Sequence, residues 1–124
     1  MEIKASLKNL RMSPRKTRLV ARLLQGMPVA AAEAQLSFLA KRSATPLLKL
    51  LRSAIANAKN NFSLAESGLI IKSMTVDEGV ALKRWMPRAQ GRATPIKKRA
   101  CHVNLVLSEI GSEKSETKNL KPKT

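Results

Sequence analysis

Two pairs of adjacent side chains in this 124-residue chain are of types that can do chemistry. Cys101 and His102 are the sole cysteine and the sole histidine, a thiol beside an imidazole. That is the pairing of a nucleophile with its base. Adjacency counts against it, because neighbours on a strand point to opposite faces. A structural cysteine is therefore the expectation. One Cys and one His also fall short of the usual Cys/His ligand sets of zinc, so no metal is expected. Asp77 and Glu78 are the one adjacent pair of acids. On a strand they diverge rather than share a proton, which leaves a bend or a salt link to a nearby Arg as their role. With no phosphate-binding glycine loop and no nucleophile with a partner base, neither an enzyme nor a cofactor is expected.

The chemistry that stands out is charge. Lys83, Arg84, Arg88, Arg92, Lys97, Lys98 and Arg99 place seven positive charges in one stretch with no acid among them. Such a run repels itself unless a polyanion is present, which points to nucleic acid. The arginines can fork onto phosphate oxygens, and the lysines add point charge. Trp85 is the only large aromatic of the run. Two roles are open to it: stacking on a base, or anchoring the root of the run to the body. Met86 and Ile96 are placed to pack across a hairpin.

The elements that must hold this run are two strands, Leu69–Val76 and Ala100–Leu107, both apolar and β-prone. Joined by a long basic connection they make a hairpin arm. It runs out from Val80 to about Arg88 and back from Arg92 to Arg99, about nine residues a side, or on the order of 30 Å. Pro87, Gly91 and Pro95 fit an irregular tip and blunt the edges. A free two-stranded hairpin is marginal in water, so the arm needs a surface on both sides.

The rest of the chain reads as a body. Glu2–Lys8 alternates, with Ile3, Ala5 and Leu7 on one side, as a half-buried strand does. Ser13-Pro14 opens a helix with Ser13 as N-cap. It runs to about Gln25, is stopped by Gly26, and has Leu19, Val20, Leu23 and Leu24 as its apolar side. Arg15, Arg18 and Arg22 share one exposed face at helical spacing. That face is either simply solvated or a phosphate contact, and the lack of interleaved acids puts the second on a level with the first. Pro28 opens a second helix through Ala40. Thr45-Pro46 opens a third to about Asn60, with a core stripe of Leu47, Leu50, Leu51, Ala54, Ile55 and Ala58 and with Lys49, Arg52, Lys59 and Asn60 outside it. A loop follows from Asn61 to Gly68. Asp77-Glu78-Gly79 interrupts the next strand with a bulge or bend. On the last strand Cys101, Val103, Leu105 and Leu107 share one face, and His102, Asn104, Val106 and Ser108 the other.

Composition bounds the possibilities. The length suggests a single domain, residues 1–110 with the arm at about 80–99, followed by a disordered polar tail at 111–124. At this size a chain buries roughly two-thirds of the surface its unfolded form exposes. A hydrophobic content of 44% argues against wholesale disorder. Lys plus Arg is 24 against 8 acids, a net charge of +16. Nucleic acid is the favoured partner and an anionic membrane the second. A lone cysteine forms no intramolecular disulfide and fits a reducing compartment. No apolar run reaches the ~20 residues that span a bilayer, and Met1-Glu2-Ile3-Lys4 lacks the apolar stretch of a secretion signal. A soluble intracellular protein is expected.

The order Lys83-x4-Arg88-Ala89-x-Gly91-Arg92-x9-His102-Val103-x-Leu105-x-Leu107 resembles the signature of the large-subunit ribosomal protein twenty-two family, bacterial type. Met86-Pro87-Arg88-Ala89-Gln90-Gly91-Arg92-Ala93 looks like that family's hairpin tip. Ser13-Pro14-Arg15-Lys16 with Arg18-Leu19-Val20, Ser53-Ala54-Ile55-Ala56-Asn57-Ala58, and Val76-Asp77-Glu78-Gly79 agree with it. The resemblance runs from about Ile3 to Ser108. It implies an α+β fold of three helices packed on a small antiparallel sheet, with a long basic β-hairpin arm projecting from it. It implies a structural protein of the cytoplasmic ribosome that ties together segments of the large-subunit ribosomal RNA during assembly, beside neighbouring large-subunit ribosomal proteins. The expected RNA contacts are Arg15, Lys16, Arg18, Arg22, Lys83, Arg84, Trp85, Lys97, Lys98 and Arg99. Arg88, Ala89, Gln90, Gly91 and Arg92 would form a tip lining the peptide exit tunnel, near the site of macrolide antibiotics and facing the nascent peptide. Neither membrane binding nor a homo-oligomer is expected.

Two other readings compete. The first two helices with Gly26 between them suggest a helix-turn-helix DNA binder, but Pro28-Val29-Ala30-Ala31-Ala32-Glu33 offers almost nothing to base edges. The basic first helix suits an anionic lipid surface, but the arm has few apolar anchors beyond Trp85, Met86 and Ile96.

Overall fold

The computed structural model describes residues 2–110; the proposed tail at 111–124 lies outside the described residues. Five strands and three helices follow in the order β1 (Glu2–Leu10), α1 (Pro14–Leu24), α2 (Val29–Phe38), α3 (Ala44–Phe62), β2 (Leu69–Glu78), β3 (Leu82–Pro87), β4 (Ala93–Lys98) and β5 (Cys101–Glu109). β1, β5 and β2 form an antiparallel sheet in that order, and β3 and β4 form a separate two-stranded ladder. The fold is α+β, as expected.

The alternation of β5 sets the layers. Cys101, Val103, Leu105 and Leu107 are fully buried, and they meet Ile3 of β1 and Leu69, Ile71, Met74 and Val76 of β2 in one core. The helices cover that face, α3 over β1 and β5 and α1 against β2. In α3 the stripe Leu47, Leu50, Leu51, Ala54, Ile55 and Ala58 is buried as its spacing predicts. The helix begins one turn-position earlier than expected, at Ala44. It continues to Phe62, where Ser63 adopts a left-handed φ of 52° and the Leu64 N–H returns to the Ala58 carbonyl at 3.1 Å. The expected loop after it contains a tight helical turn at Glu66–Gly68.

α1 departs from its sequence reading. Its buried side is Pro14, Thr17, Val20, Ala21 and Leu24, while Leu19 is 64% and Leu23 47% exposed. The side turned to the sheet carries the smaller Thr17 and Ala21 in place of Leu19 and Leu23. The leucines at 19 and 23 are left on the flank. Ser13 occupies the N-cap position without a side-chain bond, and Thr17 Oγ1 donates to the Ser13 carbonyl instead at 3.0 Å.

β2 is an edge strand, and its outer carbonyls are sealed by α1 and the turn after it. Val76 accepts from Arg18 Nε at 3.1 Å, Met74 from Gln25 Nε2 at 2.9 Å, and Ile71 from the Gly26 N–H at 2.8 Å. Gly26 has a φ of 81°, which lets the chain turn there. A row of open carbonyls is a template for unwanted strand pairing; here two side chains and one backbone N–H occupy it.

Asp77 and Glu78 do not interrupt β2. The register shift lies earlier, between Ile71 and Ser73, and the strand runs through Glu78 to end at Gly79. Asp77 Oδ2 accepts from Asn104 Nδ2 at 3.3 Å, so it braces its neighbour strand through an amide rather than an arginine.

Candidate nucleic-acid interface

The arm leaves the sheet where β2 ends and returns where β5 begins. The Gly79 N–H bonds the Ala100 carbonyl at 2.9 Å and closes this root. A Cβ on Gly79 would stand 3.3 Å from the Ala100 carbonyl carbon and oxygen and from His102 Cε1, so a residue without one is suited here. The regular ladder is shorter than nine residues a side: Leu82–Pro87 pairs with Ala93–Lys98, six residues each, or roughly 20 Å. Between the two ladders Gly79, Val80, Ala81, Arg99 and Ala100 belong to neither strand pair, and the Gly79–Ala100 bond is the link across this gap.

Every residue of β3 and β4 is exposed except the half-buried Leu82 and Ile96. The arm is therefore held by its own pairing and its root. Trp85 is 68% exposed and sits opposite Pro95. It does not anchor the arm to the body, which removes one of its two roles. At the tip the Arg88 N–H bonds the Arg92 carbonyl at 2.6 Å around a tight turn at Ala89–Gly91. Gln90 and Gly91 both adopt left-handed backbone there, with φ of 66° and 71°. That conformation holds Arg88 and Arg92 together at the base of the turn and presents Ala89, Gln90 and Gly91 beyond them.

Among the described residues, the carboxylate–cation pairs lie on the body. On the body, Glu33 pairs with Arg52 at 3.0 Å and Glu66 with Lys59 at 3.3 Å, while Glu2 pairs with Lys72. Among the described residues no carboxylate pairs with any of the seven arm cations. Arg84 Nη1 bonds the Lys83 carbonyl and Arg88 Nε bonds Thr94 Oγ1 at 3.4 Å. These contacts orient the guanidiniums without neutralising them.

α1 contributes less evenly than its spacing suggests. Arg15, Lys16 and Arg22 are exposed, but Arg18 is half-buried and spends its Nε on the Val76 carbonyl. The three arginines do not form one free face. Arg18 joins the helix to the sheet, a tertiary bond that helical spacing cannot show. Thr17 of the first turn accepts from Cys101 Sγ at 3.8 Å, at the arm-root end of β5. Arg15 and Lys16 therefore stand at the root of the arm. Leu10 pairs with Cys101 at the same end, which brings the exposed Lys8 and Arg11 to the root as well. The sequence reading passed over both. The outward alternation of β1 was the available signal for Lys8, and nothing marked Arg11.

The nucleophile–base reading of Cys101 and His102 is ruled out by orientation. Cys101 points into the core, while His102 Nδ1 accepts from the Asn9 N–H at 3.0 Å on the far side of the sheet. That bond needs the ring proton on Nε2. Asn9, with a φ of 58°, lies in the register shift between Leu7 and Leu10.

A compact α+β body that carries an exposed, cation-rich two-stranded ladder defines the class: a small α+β protein with a basic hairpin arm. The model of the family described as ribosomal protein L22p/L17e matches residues 5–108, and the chain belongs to this family, which is structural and non-enzymatic. Among its relatives, the large ribosomal subunit protein uL22 of Mesoplasma florum is 54% identical over 109 residues, covering 88% of this chain and 97% of that protein. The proteins of the same name from Lawsonia intracellularis and Myxococcus xanthus are 50% and 49% identical, again over 88% of this chain and 97% of theirs.

Proposed function

We propose that this chain is a structural constituent of the large ribosomal subunit in the bacterial cytoplasm, that it binds large-subunit ribosomal RNA, and that the tip of its arm lines the peptide exit tunnel. One observation supports the RNA reading: the seven cations of the exposed arm have no carboxylate partner among the described residues, while Glu2, Glu33 and Glu66 pair with cations of the body. Arg15, Lys16 and Arg22, with Lys8 and Arg11, carry the positive surface from α1 to the arm root. Lys83, Arg84, Lys97, Lys98 and Arg99 continue it along the shaft. RNA that folds against both faces neutralises these charges and supplies the support a two-stranded ladder needs. Recognition is by backbone and shape more than by sequence.

The tunnel placement rests on the family. Arg88, Ala89, Gln90, Gly91 and Arg92 form the extremity of the arm, the part furthest from the body and free to face a nascent peptide. Neighbouring large-subunit proteins complete the surroundings of the body, and the chain acts as a single copy. The helix-turn-helix alternative finds no support: α2 buries Val29, Ala32 and Leu36, and its exposed residues Ala30, Ala31, Ala34, Gln35, Ser37 and Phe38 include no cation.

Sucrose-gradient sedimentation of a lysate, with and without ribonuclease, tests the proposal. Co-migration with the large subunit that is lost when its RNA is digested is expected. Migration as a small free protein, or with chromosomal DNA, would overturn it.

A further inference from the structure

The two faces of the arm differ in kind. Opposed residues of an antiparallel pair share a face. Leu82–Lys98, Arg84–Ile96 and Met86–Thr94 make one face, and Lys83–Lys97, Trp85–Pro95 and Pro87–Ala93 make the other. On the first face Leu82 and Ile96 are half-buried, so that face packs upon itself. On the second every residue is exposed. It places an indole directly opposite a proline ring, and next along the ladder, two lysines directly opposite each other.

Both arrangements are unfavourable in isolation. Like charges opposed across a ladder destabilise it, and Trp is ordinarily among the more buried residues. Each becomes favourable with the same ligand. A planar base laid on Trp85 covers the indole, and Pro95 beside it extends the apolar platform. An anionic phosphate between Lys83 and Lys97 turns their repulsion into two attractions. Two residues along a strand span about 7 Å, a separation that suits a base and its own backbone phosphate. No described acid pairs with either lysine to compete for them.

We propose that Trp85, Pro95, Lys83 and Lys97 form a subsite for a single unpaired nucleotide, with the base stacked on Trp85 and Pro95 and the phosphate held between Lys83 and Lys97. The subsite rests on the RNA-binding reading and deepens it, since it selects an extruded or single-stranded nucleotide over a duplex. A base inside a helix has both faces occupied and cannot stack on an added aromatic. The second face of the arm is therefore the one that lies on an unpaired segment, and the Arg84 face meets backbone alone.

Trp85 is the only tryptophan and the chain has no tyrosine, so its fluorescence reports on this subsite directly. The full chain is titrated with a short oligoadenylate and, separately, with a blunt RNA duplex of equal length, and binding is followed both by Trp85 emission and by anisotropy of labelled RNA. Saturable quenching by oligoadenylate, with duplex binding that leaves the emission unmoved, is the expected result. Trp85→Leu should weaken oligoadenylate binding roughly 5- to 150-fold, the equivalent of ~1–3 kcal/mol for one stacked base, and leave duplex binding unchanged. Lys83→Gln with Lys97→Gln should lower the oligoadenylate salt slope by roughly 1.4 for two lost contacts. Circular dichroism verifies that each variant keeps its fold. Oligoadenylate binding by anisotropy without quenching, or with parent affinity in Trp85→Leu, overturns the subsite alone. Binding of neither RNA overturns the subsite together with the reading beneath it.

Discussion

Lys72 on β2 reaches across the central strand to pair with Glu2 on β1. The pair crosses β5 beside Ser108, which opposes Glu2 on one side and Ile70 on the other and is itself buried. Lys72 lies in the register shift of β2, between Ile71 and Ser73. The irregular step thus frees a side chain to tie the two edges of the sheet together over its middle.

The acid sensitivity of the fold should reflect this tie. The hydrogen bond from Lys72, and then its charge, hold the Glu2 carboxyl below its ordinary value of 4.5. Because the folded value is the lower one, the stabilisation is complete above the unfolded value and disappears as pH falls through the folded one. Urea unfolding midpoints of the parent and Glu2→Gln should therefore differ at neutral pH and converge in the acid range below about 4.5. A gap of constant size across that range would show that ionisation of Glu2 contributes nothing to the tie.

The arm root should be intolerant of bulk. In Gly79→Ala the new methyl meets the Ala100 carbonyl and the His102 ring at 3.3 Å. The carbonyl cannot retreat without losing its bond from the Gly79 N–H. A loss of about 1–3 kcal/mol, the usual range for overpacking, should appear in chemical denaturation, together with faster proteolysis at the root. Parent stability in this variant would mean that the backbone yields there freely.

The arginines of α1 should divide by role. Arg15→Gln with Arg22→Gln should leave stability unchanged and lower the log–log salt slope of RNA binding by roughly 1.4–1.8 for two lost phosphate contacts. Arg18→Leu should instead lose about 1 kcal/mol of stability, because the Val76 carbonyl forfeits its donor. Equal effects of the three arginines on either quantity would contradict the division.

Removal of Met86–Ala93 should leave the body folded. The buried core lies wholly outside β3 and β4, so the thermal midpoint should move little, and the truncated chain should still bind RNA through α1 and the root. Unfolding of this variant would refute the independence of body and arm.

Much of this was legible from periodicity alone. The alternation from Cys101 to Leu107 assigned the core face of β5 correctly, and the spacing from Leu47 to Ala58 did the same for α3. The arm was legible as an excess of charge between two strands. What periodicity missed depends on neighbours distant in sequence. Leu19 and Leu23 look like core beside Val20 and Leu24 until the packing of α1 on the sheet turns the side carrying Thr17 and Ala21 inward. Arg18 looks like its neighbours Arg15 and Arg22 until Val76 is placed beside it. The shift at Lys72 has no local signal, since neither a glycine nor a proline marks it, and Gly79 suggested a break two residues too early.

The attachment of the arm to the body has a mechanical consequence. Its two legs are continuations of β2 and β5, which are neighbours in the sheet. A pull on the tip draws both strands the same way and leaves the bonds between them unloaded. The tension passes outward instead, to the β1–β5 ladder on one flank and to the bonds between α1 and β2 on the other. Both resist by sliding rather than peeling, so many bonds must yield together. Arg18 and Gln25, which seal an edge at rest, become rivets under traction.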